Sequence, residues 1–466
     1  MTVSRRAFLA SPAVGVVPLA VPVPAGAPKP VSAEEMLRLF AGSPGDVAVT
    51  SVAPPALTTN TNTYAWRMHM RSVTGSVWRL LSWALPTLLG CAVACALTAE
   101  AAPAAPACPS GQVAAAGRCV AVEEVAARID AIVREAMAQH ELKAVLAGVA
   151  VDGQPLPVMA WGESMTGVPA TPDMHFRNGS VAIAYIGTVL LQLHDRGALD
   201  VDDRLSQWFP YYPQADQIAL AMLINGTSGY ADYATDDSFI QALYADPFRQ
   251  WHPDELIAIG LHRPMVCDPG TCWSYAHTNF VILGKVLEQV TGRPLEALIR
   301  EGIVDRLSLT DTRSEATAVI QEPVLHAFTG ERGRYEESTY WNPSWTLASG
   351  AIMTSNIADI VKSAAAIGTG ALVSPASHAR QLAPLTAKFP PWSATSYYGF
   401  GVFVVNGWIV QNPSFAGYAA TMAYLPSHQL AIAVSVTVRE KASTDGNLST
   451  DVLKAIAAYL APEAPL

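Results

Sequence analysis

The chain has 466 residues, of which 51% are hydrophobic and only 15% are charged. Soluble domains carry about 25% charged residues, so this chain has enough apolar side chains to bury a large core. The formal net charge is −10, and the sequence contains no cluster of lysines and arginines, which argues against nucleic acid as a partner. The histidines and cysteines lack metal-ligand spacing and no phosphate-binding glycine pattern is present, so neither a metal nor a cofactor is expected.

The first 101 residues have the composition of export signals rather than of a folded domain. Arg5 and Arg6 precede a mild apolar run and an Ala-Gly-Ala site at 25–27, the order found in twin-arginine signals. A second unit follows, in which arginines precede an apolar run starting at 80 and an Ala-Glu-Ala site at 99–101. We therefore expect an exported protein that is periplasmic, secreted or membrane-anchored.

Two export signals in one chain leave several explanations open. One explanation is that translation starts at Met68 or Met70 and that the upstream part is an extension. Alternatively residues 80–98 remain in the membrane as an anchor, since their length is near the roughly 20 residues that a span needs. The segment before Cys91 also resembles a lipoprotein attachment site. If the second signal is cleaved, the mature protein starts near Ala102.

The cysteines that would remain after this cleavage form an even set, namely Cys108, Cys119, Cys267 and Cys272. In an oxidising compartment such a set is expected to form disulfides. The local pairings Cys108–Cys119 and Cys267–Cys272 would close short loops that contain glycine. The alternative is four free, buried thiols.

The order of apolar patterns predicts a folded domain over residues 122–466, after an Ala- and Pro-rich linker at 102–121. Helical spacing from 125 to 136 predicts a first helix, and alternating runs predict a two-strand ribbon that turns at Asp152 and Gly153. A helical middle region follows. Strands and a closing helix are then predicted at 399–405, 418–425, 430–438 and 451–460. Strands at both ends indicate an α+β fold with one sheet and an inserted helical region.

The segment 176–183, Phe-Arg-Asn-Gly-Ser-Val-Ala-Ile, opens a long apolar helix and contains the candidate nucleophile Ser180. Two interpretations of Ser180 are possible from its position. A serine at the first turn of a helix caps it by accepting a backbone N–H. A serine there is also a suitable nucleophile, because the helix dipole favours developing negative charge. Position alone favours the cap.

Further motifs follow Ser180 in a fixed order. Segment 223–230 is Leu-Ile-Asn-Gly-Thr-Ser-Gly-Tyr, segment 275–284 begins Tyr-Ala-His and ends Leu-Gly, and segment 307–312 is Leu-Ser-Leu-Thr-Asp-Thr. With these segments the chain resembles the serine β-lactamase, DD-peptidase and esterase family of the class C-like type, over roughly residues 125–460. The resemblance implies an antiparallel sheet flanked by helices, with an inserted helical subdomain and the active site between them.

The resemblance also implies catalytic residues, and the sequence departs from the family at several of them. The nucleophile corresponds to Ser180, but the lysine of the Ser-x-x-Lys motif is Ile183. The tyrosine of the second motif corresponds to Tyr275, and the asparagine two residues later is His277. Without the lysine, a tyrosine with an ordinary pKa of about 10 has little reason to ionise and is a poor base.

The third motif of the family, Lys- or His-x-Gly, is placed by counting back from Gly417, which gives Gln411. Gln411 and Gly417 are therefore the expected substrate-binding residues. Both the facing cation and a histidine common at the position of Gly226 are missing. The three motifs thus keep their serine and tyrosine but lose their charged groups.

His277 provides a replacement base, since an unperturbed histidine has a pKa of about 6.5, which suits general-base catalysis. In an extended segment Tyr275 and His277 would share one face. We therefore expect His277, directly or through Tyr275, to deprotonate Ser180 in a serine hydrolase that cleaves an ester or amide through an acyl-serine. The substrate range is a cell-envelope peptide, a lactam or a small ester. The alternative is a catalytically inactive member of the family that binds an envelope ligand or protein partner in the former active-site cleft.

Overall fold

A computed structural model describes residues 108–443 and 446–466. The expected export signals, the anchor alternative at 80–98 and the lipidation alternative at Cys91 lie outside the described residues. Among the residues that are described, no helix has both the length and the apolar character that crossing a membrane requires.

The helices of the described residues lie on both faces of a central sheet. In chain order they are α1 Val122–Gln139, α2 Val181–Asp195, α3 Leu220–Ile224, α4 Asp237–Ala245, α5 Pro253–His262, α6 His277–Thr291, α7 Leu295–Ile299, α8 Asp305–Leu307, α9 Ile357–Thr369, α10 Pro375–Gln381 and α11 Leu448–Leu460. A π-helical turn at Arg300–Val304 connects α7 to α8. Short 3-10 turns occur at Leu205–Gln207, Tyr233–Thr235, Ser349–Ala351 and Pro426–His428.

The strands combine the first and last parts of the folded region in one sheet. They are β1 Gln112–Ala115, β2 Arg118–Ala121, β3 Leu142–Val151, β4 Gln154–Pro155, β5 Met159–Met165, β6 Val168–Pro169, β7 Phe176–Arg177, β8 Arg313–Ser314, β9 Phe328–Thr329, β10 Glu336–Glu337, β11 Met353–Ser355, β12 Ser396–Tyr398, β13 Phe403–Val405, β14 Trp408–Gln411, β15 Ser414–Phe415, β16 Tyr418–Leu425 and β17 Leu430–Val438. The main sheet has the order β12-β13-β14-β16-β17-β3-β5-β6, with β15 beside β16 and β4 beside β3.

Every strand pair of this main sheet is antiparallel. Strand β3 is buried on both faces because its alternate side chains enter two different cores. Val145 and Val149 pack with the terminal helices α1 and α11. Ala144 and Leu146 pack on the other face, with α2 and α9. The expected α+β fold, an antiparallel sheet flanked by helices with a helical region between its two halves, is confirmed.

Residues 112–121 differ from the linker that their composition indicated. They form an antiparallel hairpin, β1 paired with β2, and the disulfide Cys108–Cys119 links the segment before β1 to β2. Val113 and Val120 are buried in the core below α1 and α11. Alternation of small apolar residues is enough to bury one face of this hairpin, so ordered structure begins before residue 122.

The strand expected from residue 399 begins only at Phe403, because Gly399–Gly401 pack as a turn against α2. Gly401 has φ +77°, and a Cβ placed on it would lie 2.6 Å from the Ile183 carbonyl oxygen. In the opposite direction, a Cβ on Gly187 of α2 would lie 2.6 Å from the Phe400 carbonyl oxygen. Backbone therefore meets backbone here, and α2 is held close to the sheet edge.

Gly401→Ala is expected to destabilise the protein more than Gly407→Ala does. Both glycines have positive φ, so alanine costs about 1 kcal/mol at either position. Only Gly401 lacks room for a methyl group, while Gly407 has no atom within 4 Å of an added Cβ. The crowding adds about 1–3 kcal/mol. Urea unfolding of both variants measures the difference, and equal losses would show that the contact with α2 tolerates a side chain.

Candidate active site

Ser180 occupies the turn between β7 and α2 at the positive end of that helix. Its Oγ does not cap α2; it lies 3.1 Å from the Tyr275 hydroxyl oxygen, within hydrogen-bonding distance. Gly179 before it has φ +48°, and a Cβ there would lie 2.6 Å from Pro413 Cβ. The turn is therefore compressed against the segment that follows β14, and the serine side chain is partly exposed rather than used for capping.

Ile183, one turn after Ser180, is completely buried. It belongs to a helix in which all residues from Val181 to Leu193 are buried. No lysine or arginine in the described part of the chain forms a hydrogen bond with Ser180 or Tyr275. The structure therefore offers the serine no ammonium group in place of the missing lysine.

Tyr275 faces Ser180 from the loop before α6. Burial raises the pKa of Tyr275 above its usual value; the hydrogen bond with Ser180 opposes this shift, and the nearby Asp232 carboxylate adds to it. A phenol with a raised pKa stays protonated at neutral pH. Tyr275 can hold the Ser180 hydroxyl by hydrogen bonding, but it does not serve as a phenolate base.

His277 begins α6 and lies beside Tyr275, with ring centroids 5.2 Å apart in an edge-on arrangement. Its Nδ1 is 3.0 Å from Oδ2 of Asp232, and its backbone N–H donates to Oδ1 of the same carboxylate at 3.0 Å. The Ala234 N–H also donates to this carboxylate. Because a carboxylate only accepts, the ring nitrogen that faces it, Nδ1, carries a proton, and Nε2 is the nitrogen left to exchange a proton with a substrate or a neighbour.

Asp232 is a candidate functional residue that the sequence did not reveal. It lies two residues after the segment 223–230, and nothing in the sequence around it indicates that it pairs with His277. The only local signal is an acidic residue in a stretch of otherwise buried, apolar side chains, and its carboxylate is only 9% exposed. Its pairing with His277 is visible only in three dimensions.

Backbone pairing between two loops brings Asp232 to His277. Ser274 N–H donates to the Gly226 carbonyl at 2.8 Å, and Val266 N–H donates to the Gly229 carbonyl at 2.8 Å. The disulfide Cys267–Cys272 closes the second loop between these two contacts. Both of the expected local disulfides are thus present, and this one lies next to the site.

The residues expected to bind substrate have other contacts in the structure. Gln411 is buried, and its amide nitrogen donates to the Gly401 carbonyl at 2.7 Å rather than to Ser180 or Tyr275. Gly417 has φ +81°, and a Cβ there would lie 2.2 Å from the Phe328 carbonyl oxygen. A substrate-binding role for these two residues stays a prediction.

The described residues contain no cluster of His, Cys, Asp or Glu side chains that could hold a metal ion. The polar side chains that the structure brings together beside the serine are Tyr275, His277 and Asp232. These four groups form two linked pairs, Ser180 with Tyr275 and His277 with Asp232, joined by the ring contact of Tyr275 with His277.

A family comparison agrees with this order of motifs. The family model described as Beta-lactamase matches residues 129–455. The chain belongs to the β-lactamase family. The matched region includes the main sheet from β3 to β17 and all four site residues, so the family resemblance expected from the motifs is confirmed.

Individual relatives are more distant. The chain is 29% identical to penicillin-binding protein 4 of Amycolatopsis lactamdurans over 217 residues, which are 45% of this chain and 54% of that protein. It is 28% identical to esterase EstB of Burkholderia gladioli over 200 residues, 40% of this chain and 51% of that protein. The matched part thus spans about half the length of these relatives.

Solved structures share the fold at low sequence identity. A D-stereospecific amidohydrolase from Streptomyces sp. is 23% identical with a TM-score of 0.62, over 72% of this chain and 98% of that one. A D-amino acid amidase from Ochrobactrum anthropi is 20% identical with a TM-score of 0.63, again over 72% and 98%. These likenesses establish the architecture of the domain.

The raised pKa of Tyr275 predicts how stability changes in alkali. Above pH 10, roughly, an unfolded tyrosine loses its proton while folded Tyr275 retains it, so stability falls with rising pH. Tyr275→Phe removes the hydroxyl that titrates. Between about pH 9 and about pH 11, its free energy of unfolding is therefore expected to fall by about 1.4 kcal/mol less than that of the parent. Urea unfolding at both pH values measures it, with Tyr211→Phe, 75% exposed, as the control. Equal losses in Tyr275→Phe and the parent would contradict the raised pKa.

Proposed function

We propose that the protein is a serine hydrolase that cleaves an amide or ester bond through an acyl intermediate on Ser180. The observation that carries this proposal is the Asp232–His277 pair beside the hydrogen-bonded Ser180–Tyr275 pair. Ser180 as nucleophile, His277 as base and Asp232 as orienting carboxylate would form a serine–histidine–acid triad. Such a triad is recognised by its geometry rather than by the order of its residues in the chain.

In the acylation step Ser180 Oγ forms a bond to the substrate carbonyl carbon. Its proton passes to His277 Nε2 through the neutral Tyr275 hydroxyl, which accepts the serine proton and gives its own. The carbonyl oxygen becomes an oxyanion near the positive end of α2, where the helix dipole lowers its energy. The imidazolium then protonates the leaving amine or alcohol, and the carbon–nitrogen or carbon–oxygen bond breaks.

In the deacylation step the same groups act on water. His277 removes a proton from a water molecule, whose oxygen attacks the acyl carbon, and the proton is returned to Ser180 Oγ as the ester bond breaks. Asp232 accepts from Nδ1 throughout and stabilises the charged imidazole. Each cycle consumes one water and leaves the enzyme unchanged.

The relatives support hydrolysis of an amide or ester as the reaction class, and the substrate has to be identified by experiment. The similar proteins are named penicillin-binding protein, esterase and D-aminopeptidase. These names have in common a ligand or substrate with an amide or ester group. We propose that this chain acts on such a group outside the cytoplasm. The export signals that we expect in the first 101 residues and the two disulfides support that location.

A second candidate function is binding without catalysis. It is favoured by the absence, among the described residues, of a hydrogen bond from His277 to Ser180, and by the apolar side chain of Ile183. In that case the site would hold an envelope ligand or a protein partner non-covalently.

A fluorophosphonate probe separates the two functions, because it labels only an activated serine. Incubation of the protein, followed by peptide mass spectrometry, is expected to show one adduct on Ser180. Ser180→Ala should remove the adduct and His277→Ala should slow its formation by about a hundredfold or more. Ser274→Ala, a nearby serine outside the two pairs, is the control and should label as the parent does. If the parent protein is not labelled, the hydrolase proposal is rejected and binding without catalysis is supported.

Asp232→Asn is expected to lower kcat for a 4-nitrophenyl ester by about two to four orders of magnitude, with little change in KM. The amide no longer requires Nδ1 to carry the proton, so the ring loses its fixed tautomer. Asp236→Asn is the matched control, because Asp236 caps α4 and asparagine caps equally well. Unchanged turnover in Asp232→Asn would show that the carboxylate has no part in the reaction.

A further inference from the structure

A chain of partly exposed aromatic rings leads away from Ser180 on one side. The Ser180 hydroxyl contacts Tyr275, whose ring lies 5.2 Å from the His277 ring. The His277 ring in turn lies 6.2 Å from the ring of Trp345. All of these side chains are partly exposed, so they border open space rather than a closed core.

The chain of rings returns to Ser180 from the other side. Trp345 lies 6.3 Å from Phe415 in an edge-on arrangement. Phe415 in turn reaches Gly179, since its Cε1 would be 3.0 Å from a Cβ on that glycine. Gly179 directly precedes Ser180, so the contacts form a closed circuit. We call Tyr275, His277, Trp345 and Phe415 the aromatic collar.

Contacts with the surrounding fold fix the positions of two collar rings, Trp345 and Phe415. The Tyr233 hydroxyl donates to the Trp345 carbonyl at 2.5 Å, and Phe239 packs against the Trp345 ring at 6.0 Å. Phe415 lies in β15, which pairs with β16 of the main sheet. The positions of the rings are therefore set before a ligand arrives, which lowers the entropy cost of binding.

Among the described residues, the collar has no contact with a lysine or arginine. Within residues 108–443 and 446–466, no lysine or arginine stacks on a collar ring or forms a hydrogen bond or ion pair with a collar side chain. Gln411, at the position expected for a cation, is directed to the Gly401 carbonyl. The Asp232 carboxylate behind His277 is the charge that lies closest in this circuit of contacts, and it would repel an anion.

We infer that the site accepts substrates with an uncharged, aromatic acyl group and disfavours substrates that carry a carboxylate next to the scissile bond. This inference rests on the proposed function, because only a hydrolase would turn these ligands over, but the binding preference itself does not require catalysis. Aromatic rings prefer edge-on and offset contacts with other rings, which the collar supplies on several sides. A carboxylate would lose its hydration there without gaining a partner.

Binding to the Ser180→Ala protein tests the inference without turnover. Isothermal titration with N-phenylacetylglycinamide, N-phenylacetylglycine and N-acetylglycinamide compares a neutral aromatic ligand, its carboxylate and its non-aromatic analogue. The neutral aromatic ligand is expected to bind about tenfold more tightly than either of the others. Equal or tighter binding of N-phenylacetylglycine would overturn the inference.

Variants of the collar assign the preference to its rings. In the Ser180→Ala background, Trp345→Leu and Phe415→Leu are each expected to weaken the preference for the phenyl group about fivefold, while Trp345→Phe retains most of it. Tyr211→Leu changes an exposed aromatic residue that contacts Phe209 and Tyr212 instead, and should have no effect. Circular dichroism confirms that each variant is folded, and a folded Trp345→Leu with the full preference would refute the collar.

The outcomes for the collar and for catalysis are distinguishable. The expected ligand preference in Ser180→Ala, without a fluorophosphonate adduct in the parent, supports the collar and rejects the hydrolase. An adduct on Ser180 without any ligand preference rejects the collar and leaves the hydrolase intact.

Discussion

The burial of α2 constrains the chemistry of the whole site. Because this helix is enclosed by core on all sides from Val181 to Leu193, a side chain one turn after Ser180 has no contact with water. An isolated charge there costs several kcal/mol unless it is paired. The chain has Ile183 at that point, and the close backbone contact at Gly401 leaves no room to open the packing. In the proposed hydrolase, a base for Ser180 therefore has to come from a different element.

That element is the pair of loops before α6. Backbone hydrogen bonds and a disulfide fix the two loops against each other, and an aspartate of one loop then meets a histidine of the other. The electrostatic result differs from a tyrosine–lysine arrangement. Tyr275 stays neutral because desolvation raises its pKa, and ionisable groups are concentrated in the Asp232–His277 pair. The scaffold thus supports a different distribution of charge around the same serine.

The fold was predictable from the sequence because its signals are local. Apolar spacing of 3.6 or 2 residues marked α1, β3, β16, β17 and α11, and the motif order around Ser180 and Tyr275 marked the family. The hairpin β1–β2 was missed because alanine and proline content outweighed a weak alternation in strands of only 4 residues. Composition describes average behaviour, whereas a hairpin of this size depends on two or three buried side chains.

The site was predictable only in part, for a similar reason. Ser180, Tyr275 and His277 lie in motifs, but Asp232 is 45 residues from its partner and Phe415 is further still from Trp345 along the chain. Such pairs leave no periodic pattern in the sequence. Gln411 shows the converse, since counting along the chain assigned it to a motif position, whereas its side chain donates to the Gly401 carbonyl. Alignment assigns a position, whereas the direction of a side chain depends on packing.

The pairing of β3 with β17 has a consequence for synthesis of the protein. Val151 is opposite Leu430, so the central strand of the sheet meets its main partner only near the end of the chain. A ribosome makes the chain from the N-terminus, and β3, apolar on both faces, remains without that partner until β17 has been made. An exposed strand of this kind attracts other strands. The protein is therefore most vulnerable to aggregation while it is still incomplete, and a holding factor that covers β3 would protect it during that interval.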